Sequence, residues 1–225
     1  MSADPLTIRS LALPPYIDIS ATVLFSITGA MVGIRRHYDA VGVFVMALAC
    51  ALGGGLIRDG LFIQSGPPMA MRNGSYILAV LAGCVIAIVF FTHVERLSKP
   101  FLIMDALATG AYGVVGSSIA FEAGLAIPAC IFVGVMNAVG SGLIRDILVR
   151  EEPLLLKPGG YYVIASALGV VSFAMILRYR LASLELAAME AIAITFVIRL
   201  LAIHFDWRTR SVMRPRPPTD PNPKP

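Results

Sequence analysis

Two short strings carry the residue types that could do chemistry in an otherwise apolar chain: Gly53-Gly54-Gly55-Leu56-Ile57-Arg58-Asp59 and Gly140-Ser141-Gly142-Leu143-Ile144-Arg145-Asp146. Each lies inside a long hydrophobic run. An ionisable residue at membrane depth is costly and by default points to function. Adjacent glycines lower helix propensity and permit backbone conformations that break or bend a helix. A break would free carbonyls at the end of one half-helix and N–H groups at the start of the next. Carbonyls lining a wet cavity suit hard monovalent cations, and the N–H groups suit anions. The backbone alone therefore leaves the sign of a permeant species open. Arg58 with Asp59, and Arg145 with Asp146, have a structural alternative, in which they pair across two oppositely inserted helices and hold the break in place.

A second set helps with the sign. Asp18, Thr22, Phe25 and Gly29 fall at i, i+4, i+7 and i+11, which puts them on one helix face. Asp105, Thr109, Tyr112 and Gly116 repeat that stripe. Carboxylates at the two mouths of a pore concentrate cations and repel anions. The alternative is that each Asp caps the start of its helix, which suits Asp18, after Pro14-Pro15, better than Asp105, several residues into its run.

These residues need long membrane elements to hold them, and the composition supplies those. Of 225 residues, 57% are hydrophobic and 14% charged. A soluble domain of that size needs more charge to cover its surface. The apolar runs have spanning length, about 20 residues each, and do not alternate as barrel strands do. The expected fold is an all-α integral membrane protein with seven transmembrane helices at about 15–34, 40–62, 74–93, 101–121, 126–149, 160–178 and 182–204. Residues 1–14 lack a charged start followed by an apolar core, so they do not read as a cleavable signal. With the N-terminus outside, eleven Lys and Arg fall in inner segments and four in outer ones. The positive-inside rule then places the C-terminus in the cytoplasm. The basic, proline-rich stretch 205–225 reads as a disordered cytoplasmic tail.

The strings belong to a duplication. Shifting the chain by 87 residues lays Asp18–Leu61 on Asp105–Leu148 without a gap, with twelve of 44 positions identical, among them both Asp-Arg-Asp series in register. A one-residue slip then aligns Gly74 and Tyr76 with Gly160 and Tyr162. Each repeat is thus three helices long, 15–93 and 101–178. Three is odd, so the second copy enters the membrane inverted, and 182–204 is an added seventh helix. Such folds place their site near the midplane between discontinuous helices, here helices 2 and 5, expected to be kinked at the glycines. On helix 7, Glu190 and Arg199 lie too far apart to pair within the helix. Each is left to contact either the repeat core or a neighbouring subunit.

Cys50, Cys84 and Cys130 lie within apolar runs without short spacings, and His37, His93 and His204 form no ligand pattern. Neither a metal site nor a cofactor is expected. Without a nucleophile–base arrangement or a soluble domain, an enzyme is not expected either.

The seven spans, the three-plus-three repeat and the paired GGGLIRD and GSGLIRD strings resemble bacterial members of the trimeric intracellular cation channel (TRIC) family. The same strings are similar to the paired signature of a broad bacterial membrane family with an attributed glycine-transport role. The TRIC resemblance implies a homotrimer in lipid, with no nucleic acid or soluble partner, and one hourglass pore per protomer between helices 2 and 5. That pore conducts K⁺ and, less selectively, Na⁺. Gly53, Gly54, Gly55, Gly140, Ser141 and Gly142 then become the pore-kink residues. Animal members carry a gating basic residue on helix 4; Phe101–Phe121 here contains no Lys or Arg, so that account and the family's lipid-binding basic motif are not carried over. The competing function is a secondary transporter of a small zwitterion such as glycine.

Overall fold

The structure, a computed structural model, describes residues 13–91, 98–156 and 161–207. The N-terminal segment up to residue 12, the basic tail from 208, and Gly160, the repeat partner of Gly74, lie outside the described residues. The described residues form helices α1 (Pro15–Arg35), α2 (Ala40–Ile57), α3 (Ser75–Phe91), α4 (Ser98–Glu122), α5 (Ile127–Leu148), α6 (Tyr162–Tyr179) and α7 (Leu184–His204), with no strand among them. A π-helical segment, Arg58–Ile63, continues α2, and one helical turn, Met69–Arg72, precedes α3. Six of the helices are long and apolar enough to cross a membrane, and Ser75–Phe90 is a shorter apolar helix.

Local chemistry sets the helix ends. Proline in the first turn starts α1 and α5, where its missing N–H and fixed φ cost nothing. Asp39 caps α2 by accepting from Gly42 N at 2.8 Å, and Ser183 caps α7 by accepting from Leu186 N at 3.3 Å. Helix α4 ends at Gly124, whose φ of +76° lets Leu125 N reach back to Ala120 O at 3.1 Å.

The two halves make the same internal pairings: α1 packs on α2 and α3, and α4 packs on α5 and α6. They meet through α2 against α5 and α1 against α4, while α7 packs on α4 and α6. The core of the first half sets four alanines, Ala30, Ala47, Ala51 and Ala87, among larger apolar side chains such as Met31, Leu52 and Val80. Small residues let membrane helices approach closely, which replaces the hydrophobic driving force absent in lipid.

The expected helix break at the glycines is not found. The α-helical ladder of α2 runs through Gly53–Gly55, and that of α5 runs through Gly140–Gly142. The physical reason is a matter of magnitude. A mid-helix glycine costs about 1 kcal/mol relative to alanine, whereas each backbone group left unpaired in an apolar setting costs several. The departure from α geometry comes just after the first cluster, at Arg58–Ile63. Such π segments are frequent at functional sites.

Candidate functional site

The two glycine clusters meet each other. At Gly54 an added Cβ would sit 2.4 Å from Asn137 O and 2.9 Å from Ser141 Oγ, so only glycine lets the backbones of α2 and α5 come this close. Gly54 N donates to Ser141 Oγ at 3.1 Å. The contacts are reciprocal between repeat counterparts. A Cβ at Gly53 would lie 2.6 Å from Ile144 Cδ1, and one at Gly140 would lie 3.1 Å from Ile57 Cδ1. Phe25 and its counterpart Tyr112 also meet, edge to face, at 4.8 Å.

Gly55 and Gly142 make different contacts. Their Cβ positions lie 3.7 Å from Arg58 Nη2 and 3.4 Å from Arg145 Nη2. A Cβ at Gly55 would make only ordinary contact there, whereas one at Gly142 would also press on the Tyr162 hydroxyl at 2.8 Å. The two guanidiniums occupy two polar recesses, one on each half.

In the first recess Arg58 holds Asp59 through two bonds, Nε to Oδ1 at 2.6 Å and Nη2 to Oδ2 at 3.0 Å. Asp59 Oδ2 also accepts from Met69 N at 2.9 Å, tying the turn before α3 over the recess. Asp18, partly exposed, accepts from the Tyr76 hydroxyl. It is not a cap, since Pro14 precedes α1 with no side-chain cap bond. Asp18, Gly55, Arg58, Asp59, Tyr76 and Tyr112 line a cavity of about 10 Å³, the space of about one water. A wider cleft of about 300 Å³ shares Asp59 and Met69 with it and adds Glu122 and Arg72.

The second recess repeats the plan with one change. Arg145 Nε donates to Asp146 Oδ1 at 3.0 Å, and Asp146 Oδ2 accepts from Leu154 N at 3.0 Å, matching the Met69 tie. Asp105 is fully buried and both its oxygens are bound, one by Arg145 Nη1 at 2.7 Å and the other by Arg199 Nη2 of α7 at 3.2 Å. The Arg199 guanidinium lies over the Tyr162 ring at 4.4 Å.

Two expectations are corrected here. Asp105 is not a free carboxylate at a mouth, because two guanidiniums hold it inside the bundle. The Arg–Asp pairs form within each half rather than across the two: adjacent Arg and Asp at the end of one helix reach each other more readily than partners beyond the glycine crossing.

Between the recesses runs a buried polar seam. Thr22 Oγ1 donates to Asp18 O at 2.9 Å and lies 3.1 Å from Tyr112 Oη. The Tyr112 hydroxyl donates to Ala51 O, and Asn137 Nδ2 donates to Tyr112 O at 2.7 Å. Thr109 Oγ1 donates to Asp105 O at 2.6 Å and lies 3.5 Å from Tyr162 Oη. Sequence reasoning missed Asn137, a lone amide in an apolar run three residues before Gly140. It also missed the roles of Tyr76 and Tyr162, which it had used only as repeat markers. Each was findable as a polar residue on the inner face of a spanning helix.

The fold and site define a multi-pass helical membrane protein with a charged recess on each side of a glycine crossing. A family model described as "Glycine transporter" matches residues 15–92 and 102–178. The UPF0126 inner membrane protein YadS of Escherichia coli is 32% identical over 193 residues, covering 84% of this chain and 91% of its own. A UPF0126 membrane protein of Deinococcus radiodurans is 30% identical over 155 residues, 68% of this chain and 72% of its own. The solved structure of the TRIC trimeric intracellular cation channel orthologue from Rhodobacter sphaeroides superposes with a TM-score of 0.80 at 28% identity, over 85% of this chain and 97% of that one. The chain belongs to the trimeric intracellular cation channel family, as a bacterial, inner-membrane member alongside the UPF0126 proteins.

Proposed function

We propose that this protein is a passive channel for monovalent cations, K⁺ and less selectively Na⁺. It works as a homotrimer with one path per protomer, passing between α2 and α5 from one recess to the other. Its halves are inverted in the membrane, and α1 starts outside. The observation that carries the reading is the reciprocal glycine crossing of α2 and α5, with a charged recess on either side. With Gly54 against Asn137 and Ser141, this is the closed state of the path. Conduction requires the crossing to loosen. The solved relatives at 28% identity, described as TRIC cation channels, support the same reading.

The sign of the charge follows from the first recess, where Asp18 and Asp59 face a single guanidinium, Arg58. That excess carboxylate attracts cations. Asp18→Asn is expected to lower the K⁺/Cl⁻ permeability ratio from reversal potentials about fivefold, the equivalent of about 1 kcal/mol for one lost charge near the path. An unchanged ratio would confine Asp18 to its bond with Tyr76.

The family model's description favours one other reading, a glycine transporter. A channel has a continuous wet path, and a transporter is never open at both ends. Purified protein in planar bilayers is expected to give unitary cation currents. Saturable glycine uptake into proteoliposomes, with no unitary current, would replace the channel with the transporter.

A further inference from the structure

The duplication gives each half the same parts, an Asp on the first helix, an Arg-Asp pair on the second and a Tyr on the third. The two halves nevertheless differ in charge. Asp18 takes its bond from a tyrosine, whereas Asp105 takes two from guanidiniums. The difference comes from outside the repeat, since Arg199 belongs to α7. Its guanidinium displaces the tyrosine from its expected place: the Tyr162 ring stacks beneath Arg199, and its hydroxyl lies beside Thr109 instead. Arg199 is 4% exposed, and its Nε–H has no acceptor among the described residues.

Arg199 pairs with Asp105 on α4, Asp105 also pairs with Arg145 on α5, and Arg145 in turn holds Asp146. With Arg199 in place, the second recess holds two carboxylates and two guanidiniums, whereas the first has a carboxylate in excess. Resting on the channel reading above, we propose that Arg199 sets the electrostatic barrier of the second recess, a fixed cation that α7 contributes to a path the duplicated halves would otherwise make symmetric. Without Arg199 the second recess would carry the same excess of negative charge as the first. Its Asp105 carboxylate would then have an oxygen free for a passing cation. A guanidinium stays protonated at any working pH, so this barrier does not titrate. It yields only to displacement of α7 or to screening by salt.

The test uses the full-length protein in planar bilayers, with symmetric KCl at about 20 mM and about 1 M. Screening is weak at the first concentration and reaches within about 3 Å at the second. Arg199→Gln is expected to raise unitary conductance about threefold at low salt, with the difference vanishing at high salt. Arg199→Lys, which keeps the charge, is expected to stay near the wild type. Thr195→Val, which disturbs α7 one turn away, should also leave conductance unchanged. A rise in Thr195→Val as large as in Arg199→Gln, or one that persists at 1 M, would reduce Arg199 to a packing role. If Arg199→Gln does not assemble, Asp105→Asn with Arg199 intact must lower low-salt conductance by a similar factor, and no change there overturns the proposal. Wild-type protein that passes no unitary current removes the channel reading and this proposal with it. Wild-type current with an indifferent Arg199→Gln removes Arg199 alone.

Discussion

Gly54→Ala is expected to abolish flux and to destabilise the protein by about 1–3 kcal/mol, the usual cost of forcing a methyl group into a packed contact. The new Cβ would lie 2.4 Å from Asn137 O, a backbone atom that cannot swing aside as a side-chain end could. The methyl group would stand in the crossing that must loosen for conduction, and helices α2 and α5 would have to shift register. The bond from Gly54 N to Ser141 Oγ would go with them. Gly55→Ala makes the informative comparison. Its Cβ meets only Arg58 Nη2, at 3.7 Å, and the helix gains about 1 kcal/mol of propensity. Thermal unfolding in detergent and ion flux from vesicles should therefore separate the neighbours, with Gly54→Ala impaired in both and Gly55→Ala near the wild type. Equal behaviour would mean that the crossing is not what these glycines provide.

Arg145→Met is expected to have the larger effect on stability, about 3–5 kcal/mol, because it breaks a buried ion cluster from one side. Arg145 is the shared partner of Asp105 and Asp146 and also lies 5.0 Å from the centre of the Phe101 ring. Its loss leaves Asp146 with only the Leu154 N–H and Asp105 with only Arg199. Much of the defect should be repaired by Arg145→Met combined with Asp146→Asn, since Asp105 then keeps Arg199 as its partner and the recess is again neutral. Arg58→Met is expected to cost less. Asp59 there lines a cavity, and Asp18 keeps its tyrosine. Melting temperatures of the three variants check the order. A double variant no better than Arg145→Met would show that the cluster's charge is not the source of the loss.

Helical register was legible in the chain because it is local. Asp18 and Thr22 fall on one face by spacing alone, and Thr22 does bond back to Asp18 O. The clusters Gly53–Gly55 and Gly140–Gly142 stood out in the sequence too, but a break was expected where the helices run on and pack together. A run of glycines raises the helix energy only slightly, so its presence cannot tell a break from a close approach. That depends on whether another backbone arrives to fill the space, and here each cluster supplies that backbone for the other. The Arg–Asp strings were visible as charges in apolar runs, while their choice of partner was not.

The amino-acid order by itself determined the number and length of the apolar helices, the duplication, and the two places where polar chemistry interrupts them. Those follow from hydropathy and period, which act over a few turns of one helix. Only the tertiary structure decided that Gly54 touches Ser141, 87 positions away, and that Arg199 reaches Asp105 across 94. Such contacts are set by which helix faces pack together. Two carboxylates that spacing makes equivalent, Asp18 and Asp105, became one partly open and one sealed because a helix outside the repeat reaches only the second.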